Sequence, residues 1–207
     1  LQTLGPEDFP DIAAGDLGHS FEVPAAELKR IIDKTRFAIS TEETRYYLNG
    51  IFLHTAETNK KPTLRAVATD GHRLAQAEFD LPKGAAGMPG VIIPRKTVQE
   101  LQRLVEGVTD PVRVSVSAAK VRFEIGSVTL TSKLIDGTFP DYGRVIPQSN
   151  DKTMLVPNTI FKAAVDRVST VASERGRAVK LAISKNKLVL SVNNPEGGSA
   201  TEELGVT

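Results

Sequence analysis

"FEVPAAELKRIIDKTRFA", residues 21–38, joins a short apolar strand to an amphipathic helix through a single proline. Phe21 and Val23 flank Glu22 with the two-residue period of a half-buried strand. Beyond Pro24 the apolar positions Leu28, Ile31 and Ile32 fall on one helical face. Proline suits the junction because its fixed φ starts a helical turn and its missing N–H would have had no intrahelical acceptor. The layout returns twice, as "VIIPRKTVQELQRLVEG" from Val91 and "MLVPNTIFKAAVDRVSTVA" from Met154. Pro24, Pro94 and Pro157 lie 70 and 63 residues apart. Four places after each stands Leu28, Val98 or Phe161, and seven places after each Ile31, Leu101 or Ala164. A repeat with a constant helical phase constrains the fold more than any single motif.

Between these helices the chain alternates at period two. "TLRAVATD", "RLAQAEFDL", "VRVSVSAAKVRFEI" and "SVTLTSKLI" read as half-buried strands, and "VKLAISKNKLVLSV" as a hairpin turning at Lys185 to Lys187. The repeating unit is therefore strand, helix, several strands, at about 21–85, about 91–138, and again from 154. One unit alone leaves an apolar sheet face uncovered, so two together make a domain. The predicted class is α+β, a pseudo-symmetric domain with two helices on one face and antiparallel sheets outside. The third unit lacks a partner in the sequence.

Composition limits the chemistry. Twenty-six basic and 25 acidic residues leave a net charge of +1, so any electropositive surface depends on placement. The absence of cysteine excludes disulfides, thiolate zinc sites and cysteine nucleophiles, and fits a cytoplasmic location. No run approaches the roughly 18 apolar residues of a membrane span, and no membrane association is expected. The chain opens on Leu1, which reads as a fragment or processed product.

"ATDGHRLA", residues 68–75, sets Asp70, Gly71, His72 and Arg73 side by side. An Asp-Gly pair between strands is a hairpin signal; the stretch also reads as a recognition surface, or as the acid and base of a small hydrolase using Asp70 and His72. His19, His54 and His72 are 35 and 18 residues apart, without metal-ligand spacing. "GAAGMPG" at 84–90 lacks the strand and helix of a nucleotide fingerprint. No metal and no cofactor are expected. The helical segments carry Lys29, Arg30, Lys34 and Arg36, then Arg95, Lys96 and Arg103, then Lys162 and Arg167, mixed with Glu27, Asp33, Glu100 and Asp166. Such a pattern reads as a solvated mixed-charge face or as a phosphate-facing one.

Four stretches, "RYYLNG" (45–50), "ATDGHRLA" (68–75), "VIIPRK" (91–96) and "SKLIDGTFPDYGRVIP" (132–147), resemble in order the signatures of the bacterial β sliding clamps, the processivity subunits of DNA polymerase III. Clamps have three similar domains per chain and close as two-chain rings. The resemblance implies the end of a first domain and a linker at 1–20, a middle clamp domain at 21–146, and the first half of a third at 147–207. It implies a non-enzymatic processivity factor encircling duplex DNA as a homodimer ring.

Carried over by position, the resemblance places Leu48, Thr69, Gly71, His72, Arg73, Leu74, Pro140, Arg144 and Val145 in a groove for partner peptides ending in leucine and phenylalanine. It turns Lys29, Arg30, Lys34, Arg45, Tyr46, Tyr47, Arg95, Lys96 and Arg103 toward DNA, with Glu42 and Glu43 unfavourable to phosphate in the same loop. Thr170 and Val171 become dimer-interface positions. The implied partners are sequence-independent double-stranded DNA, the DNA polymerase III α subunit and other polymerases, the clamp loader, ligase and mismatch-repair proteins.

Overall fold

The computed structural model describes residue 5 and residues 17–173 and 178–207. Most of the segment 1–20, read from sequence as domain end and linker, lies outside the described residues. The chain divides into two compact units, Leu1–Asp141 and Tyr142–Thr207.

The first unit runs twice through one order. Strand β1 (His19–Val23), helix α1 (Ala25–Thr35) and strands β2 (Gly50–Thr58), β3 (Lys61–Thr69) and β4 (Leu74–Asp80) are followed by β5 (Val91–Pro94), α2 (Arg95–Leu104), β6 (Val112–Val116), β7 (Lys120–Ile125) and β8 (Val128–Lys133). Pro24 and Pro94 are the N-cap residues of the two helices, with φ of −54° and −59°. Both take the strand-to-helix role that the repeat predicts.

The two halves exchange strands. β1 pairs with β6 of the second half and β5 with β2 of the first, all antiparallel, giving sheets ordered β1-β6-β7-β8 and β4-β3-β2-β5. Neither half can leave without breaking backbone hydrogen bonds in both sheets. The helices share the covering: α1 packs on β3 and β4, α2 on β2 and β5. Both sheets and both helices close on one core, in which Phe21, Leu28, Ile31, Leu53, Leu64, Val98, Leu101 and Phe123 are buried. Burying each such side chain is worth about 1.5–3 kcal/mol.

A second apolar layer lies on the opposite face of the β4-β3-β2-β5 sheet. Val67 alternates with Ala66 and Ala68 of the core, and Ile92 with Val91 and Ile93, so both point away from it, and both are buried. The segment after β8 contributes to this layer. Ile135 donates its N–H to the Ile92 carbonyl at 3.0 Å, and the ring of Phe139 stacks on Phe52.

The second unit contains α3 (Asn158–Val168), β9 (Lys180–Ser184), β10 (Lys187–Asn194) and β11 (Gly198–Gly205), with sheet order β11-β10-β9. Pro157 is again the N-cap residue, at φ −61°. Its own core holds Ala164, Val168, Leu188, Leu190, Val192 and Leu204. Asn186, at φ 59°, turns β9 into β10 where the sequence places a hairpin. Among the described residues no helix is long and apolar enough to cross a membrane.

Candidate functional site

The "TDGHR" stretch is the turn between β3 and β4, and Asp70 builds it. Its Oδ1 accepts the backbone N–H groups of His72 and Arg73, both at 3.0 Å, and its Oδ2 accepts Arg73 Nε at 3.0 Å. Thr69 Oγ1 donates to the Arg73 carbonyl at 2.7 Å and accepts the Gly71 N–H at 3.1 Å. Gly71 sits at φ +89°, where a side chain would strain the backbone, and a Cβ there would collide with the Arg45 guanidinium. Burial pushes the Asp70 carboxyl up, but the amides of Arg73 and His72 and the Arg73 guanidinium outweigh it and hold the group below its ordinary value.

This geometry corrects one sequence reading. Asp70 meets His72 through the backbone amide, not through the imidazole. An acid-base pair for hydrolysis needs mutual geometry and a carboxylate free to orient the ring, whereas both Asp70 oxygens already hold the turn. The hydrolase reading is not supported.

Arg45 ties this turn to the next element. Its Nη2 donates to the Asp70 carbonyl at 3.0 Å and pairs with Glu42 Oε1 at 2.6 Å. Hydrogen bonding from Arg45 holds the Glu42 carboxyl low, so one of the two unfavourable acids of this loop is paired locally. Arg45 also opens the 3-10 turn Tyr46–Leu48, where the Leu48 N–H donates to the Arg45 carbonyl at 2.9 Å. Leu48 is buried, Leu74 is half-buried opposite Thr69, and His72 and Arg73 are exposed. Arg73 stands over the exposed Phe37 ring, 5.9 Å from its centroid. Pro140 follows the buried Phe139, whose stacking partner Phe52 pairs with Val67, two residues before Thr69.

Leu48, Thr69, Gly71, His72, Arg73, Leu74 and Pro140 therefore all belong to the first unit, and the first six surround the Arg45-braced turn. Arg144 and Val145 belong to the second unit, at a 3-10 turn Tyr142–Arg144, with Val145 exposed. Phe37, Phe52 and Phe139 were missed by sequence reasoning. The unbroken apolar runs "IFL" in β2 and "VII" in β5 were the signal for an outer apolar face at Phe52.

The basic residues fall into two groups. Lys29 pairs with Asp33 at 2.7 Å and Glu106 at 3.4 Å. Arg30 pairs with Glu27 at 2.7 Å and donates to the Glu78 carbonyl, and Arg103 pairs with Glu100 at 3.3 Å. Lys34, Arg95 and Lys96 are exposed and have no ion pair among the described residues. Tyr46 and Tyr47 meet edge to face at 5.8 Å, Tyr46 exposed and Tyr47 half-buried. Thr170 and Val171 form a 3-10 turn after α3, where Val171 accepts a hydrogen bond from Asn194 at 2.9 Å. His19 begins β1, His54 stacks on Phe52 in β2, and His72 lies in the turn; among the described residues no cluster of three or more potential ligands surrounds any of them.

Two strand-exchanged halves, each with one proline-capped helix over antiparallel sheets, define the DNA-clamp fold class. A DnaN sliding clamp from Bartonella birtlesii, crystallised with griselimycin, superposes with a TM-score of 0.92 at 54% identity, over 100% of this chain and 56% of that one. The DNA polymerase sliding clamp from Pseudomonas aeruginosa gives 0.88 at 37% identity, over 98% and 54%.

The chain belongs to the DNA polymerase III β subunit family: the family's central-domain model matches residues 22–141 and its C-terminal-domain model residues 143–207. The curated Beta sliding clamp of Caulobacter vibrioides is 53% identical over 206 residues, and that of Escherichia coli K12 39% over 207. Each comparison covers 100% of this chain and 55% of the relative, so the chain spans about half the length of these curated relatives.

Proposed function

We propose that this chain works as part of a DNA sliding clamp, contributing the middle domain at 21–146 and the first half of the third at 147–207. The observation that carries the reading is the match of two successive domain models, in order, along the chain. The whole protein closes as a homodimer ring around duplex DNA in the cytoplasm and tethers DNA polymerase III, through its α subunit, and other polymerases. The same groove serves the clamp loader, ligase and mismatch-repair proteins in turn. Thr170 and Val171 lie at the ring's dimer interface.

The proposed mechanism is topological retention, not tight binding. Lys29, Arg30, Lys34, Arg95, Lys96 and Arg103, with Arg45, Tyr46 and Tyr47 beside them, face the duplex and make exchangeable phosphate contacts, which carry no sequence information and so permit sliding. Lys34, Arg95 and Lys96, without an ion pair among the described residues, reach phosphate without first giving up a carboxylate. Partner peptides insert leucine and phenylalanine anchors beside Leu48, Leu74, Pro140 and Val145, while Thr69, Gly71, His72, Arg73 and Arg144 hold the peptide backbone.

Fluorescence anisotropy with a labelled peptide ending in Leu-Phe tests the groove on this chain. His72→Ala should weaken binding about fivefold or more, the loss typical of a side chain inside a hot spot. Equal binding of a scrambled peptide would sink the groove assignment.

A further inference from the structure

Phe37 is a large apolar ring left 56% exposed beside the β3-β4 turn. A lone exposed apolar side chain needs no explanation, but the backbone around this one fixes where it points. Helix α1 runs into a 3-10 turn, Arg36–Ala38, and Thr35, Ala38 and Ile39 around Phe37 are buried. The Ile39 N–H donates to the Arg36 carbonyl at 3.3 Å, and the Ser40 N–H donates to the carbonyl of the groove residue Leu48 at 3.1 Å. With Thr35 and Ala38 anchored in the core, the turn leaves Phe37 outside.

The ring meets Arg73 there. The guanidinium carbon stands 5.9 Å from the ring centroid, within the reach of a cation–π contact. Asp70 holds the same guanidinium from another side, its Oδ2 accepting Nε at 3.0 Å. The Arg73 backbone is fixed as well, its N–H donating to Asp70 Oδ1 and its carbonyl accepting Thr69 Oγ1. A carboxylate from the turn and a ring from the end of α1 thus frame one cation. The Arg73 side chain is nonetheless 61% exposed, and among the described residues its two Nη groups donate to no acceptor.

Ordering a long, rotamer-rich side chain opposes binding, and a contact that orders it beforehand removes that cost. We propose that Phe37 is a further residue of the partner groove, a positioning residue that holds Arg73 ready to donate its Nη groups to the backbone carbonyls of a bound peptide. The proposal rests on the groove reading given above. It adds a residue that none of the four signature stretches contains. The attraction comes from the negative face of the ring, so another aromatic ring can replace Phe37 and an aliphatic side chain cannot.

Fluorescence anisotropy of the 207-residue chain with the labelled Leu-Phe peptide reads the effect. Phe37→Ala should raise the dissociation constant about two- to fivefold, the range a cation–π contact supplies at an exposed site. Phe37→Tyr should restore most of the affinity, whereas Phe37→Leu, which keeps only apolar bulk, should lose as much as alanine. Because the ring acts through Arg73, the loss should vanish when Phe37→Ala is made in the Arg73→Ala chain. The Arg73 Nε–H proton resonance, shifted by the ring in the free chain, should move in Phe37→Leu and return in Phe37→Tyr; this reading needs no peptide. Unchanged affinity in Phe37→Ala, while His72→Ala still weakens binding, would overturn the inference and leave the groove standing. So would a loss that persists without the Arg73 guanidinium, or a resonance indifferent to Phe37→Leu. Equal binding of a scrambled peptide would instead sink the groove itself, and the inference with it.

Discussion

The ring of Phe139 lies on that of Phe52, centroids 4.8 Å apart and planes 8° from parallel. The stacking pins the segment after β8 to the outer face of the β4-β3-β2-β5 sheet. Phe139 is only 8% exposed, so Phe139→Ala removes a buried aromatic and should cost about 3 kcal/mol. Urea denaturation reads the loss. Amide exchange should quicken at Ile135, whose N–H reaches Ile92 along the same segment; unchanged exchange there would show that the stack does not hold the segment.

The turn at 69–73 makes a second prediction. Asp70→Ala removes three charge-assisted hydrogen bonds and should cost about 1–2 kcal/mol, with weaker binding of a Leu-Phe peptide than any change at a remote surface aspartate produces. The sign with pH follows from the depressed carboxyl. Its stabilisation is complete above the unfolded value near 3.9 and is lost as pH falls through the lower folded value. Gly71→Ala should act through strain, since its φ of +89° disfavours a side chain, and should loosen the turn at every pH.

His54 supplies a pH response in a milder range. Burial lowers its pKa first, opposed by the backbone hydrogen bond to Thr55; Arg65 lowers it further and Glu78 raises it. A histidine that charges less readily when folded stabilises fully above its unfolded value, about 6.5. As pH falls below that value the unfolded state takes up the proton first, and stability declines. The urea midpoint should therefore drop between pH 7.5 and 5.5, and His54→Phe should flatten that slope while preserving the stack on Phe52. An equal drop in both proteins would assign the response elsewhere.

Local features were legible in the sequence because local physics makes them. The prolines at 24, 94 and 157 cap helices, and Asp70-Gly71 turns a hairpin, as their fixed or permissive φ requires. The strand exchange was not legible, since the pairings β1 with β6 and β5 with β2 join residues far apart and no periodicity names a partner. The outer layer of Val67, Ile92, Phe52 and Phe139 was missed for a related reason: a sheet buried on both faces loses the alternation that marks a solvated side. The pairing of the helix cations was readable and not used. Glu27 with Arg30, Lys29 with Asp33 and Glu100 with Arg103 stand three or four places apart, the spacing at which helical side chains meet.

Those pairs separate cations that a summed charge would treat alike. Lys29 is held by Asp33 and Glu106, so moving to a phosphate breaks existing ion pairs, whereas Arg95 and Lys96 are exposed and unpaired among the described residues. In a full-length protein carrying this chain, Arg95→Ala with Lys96→Ala should lower retention on primed circular DNA. It should also reduce the slope of log affinity against log salt by about 0.9 for each phosphate that is no longer neutralised. Lys29→Ala should change that slope less. If the Lys29 variant instead produced the larger change, the ion pairs would not govern which side chains meet the duplex, and helix position alone would have to explain it.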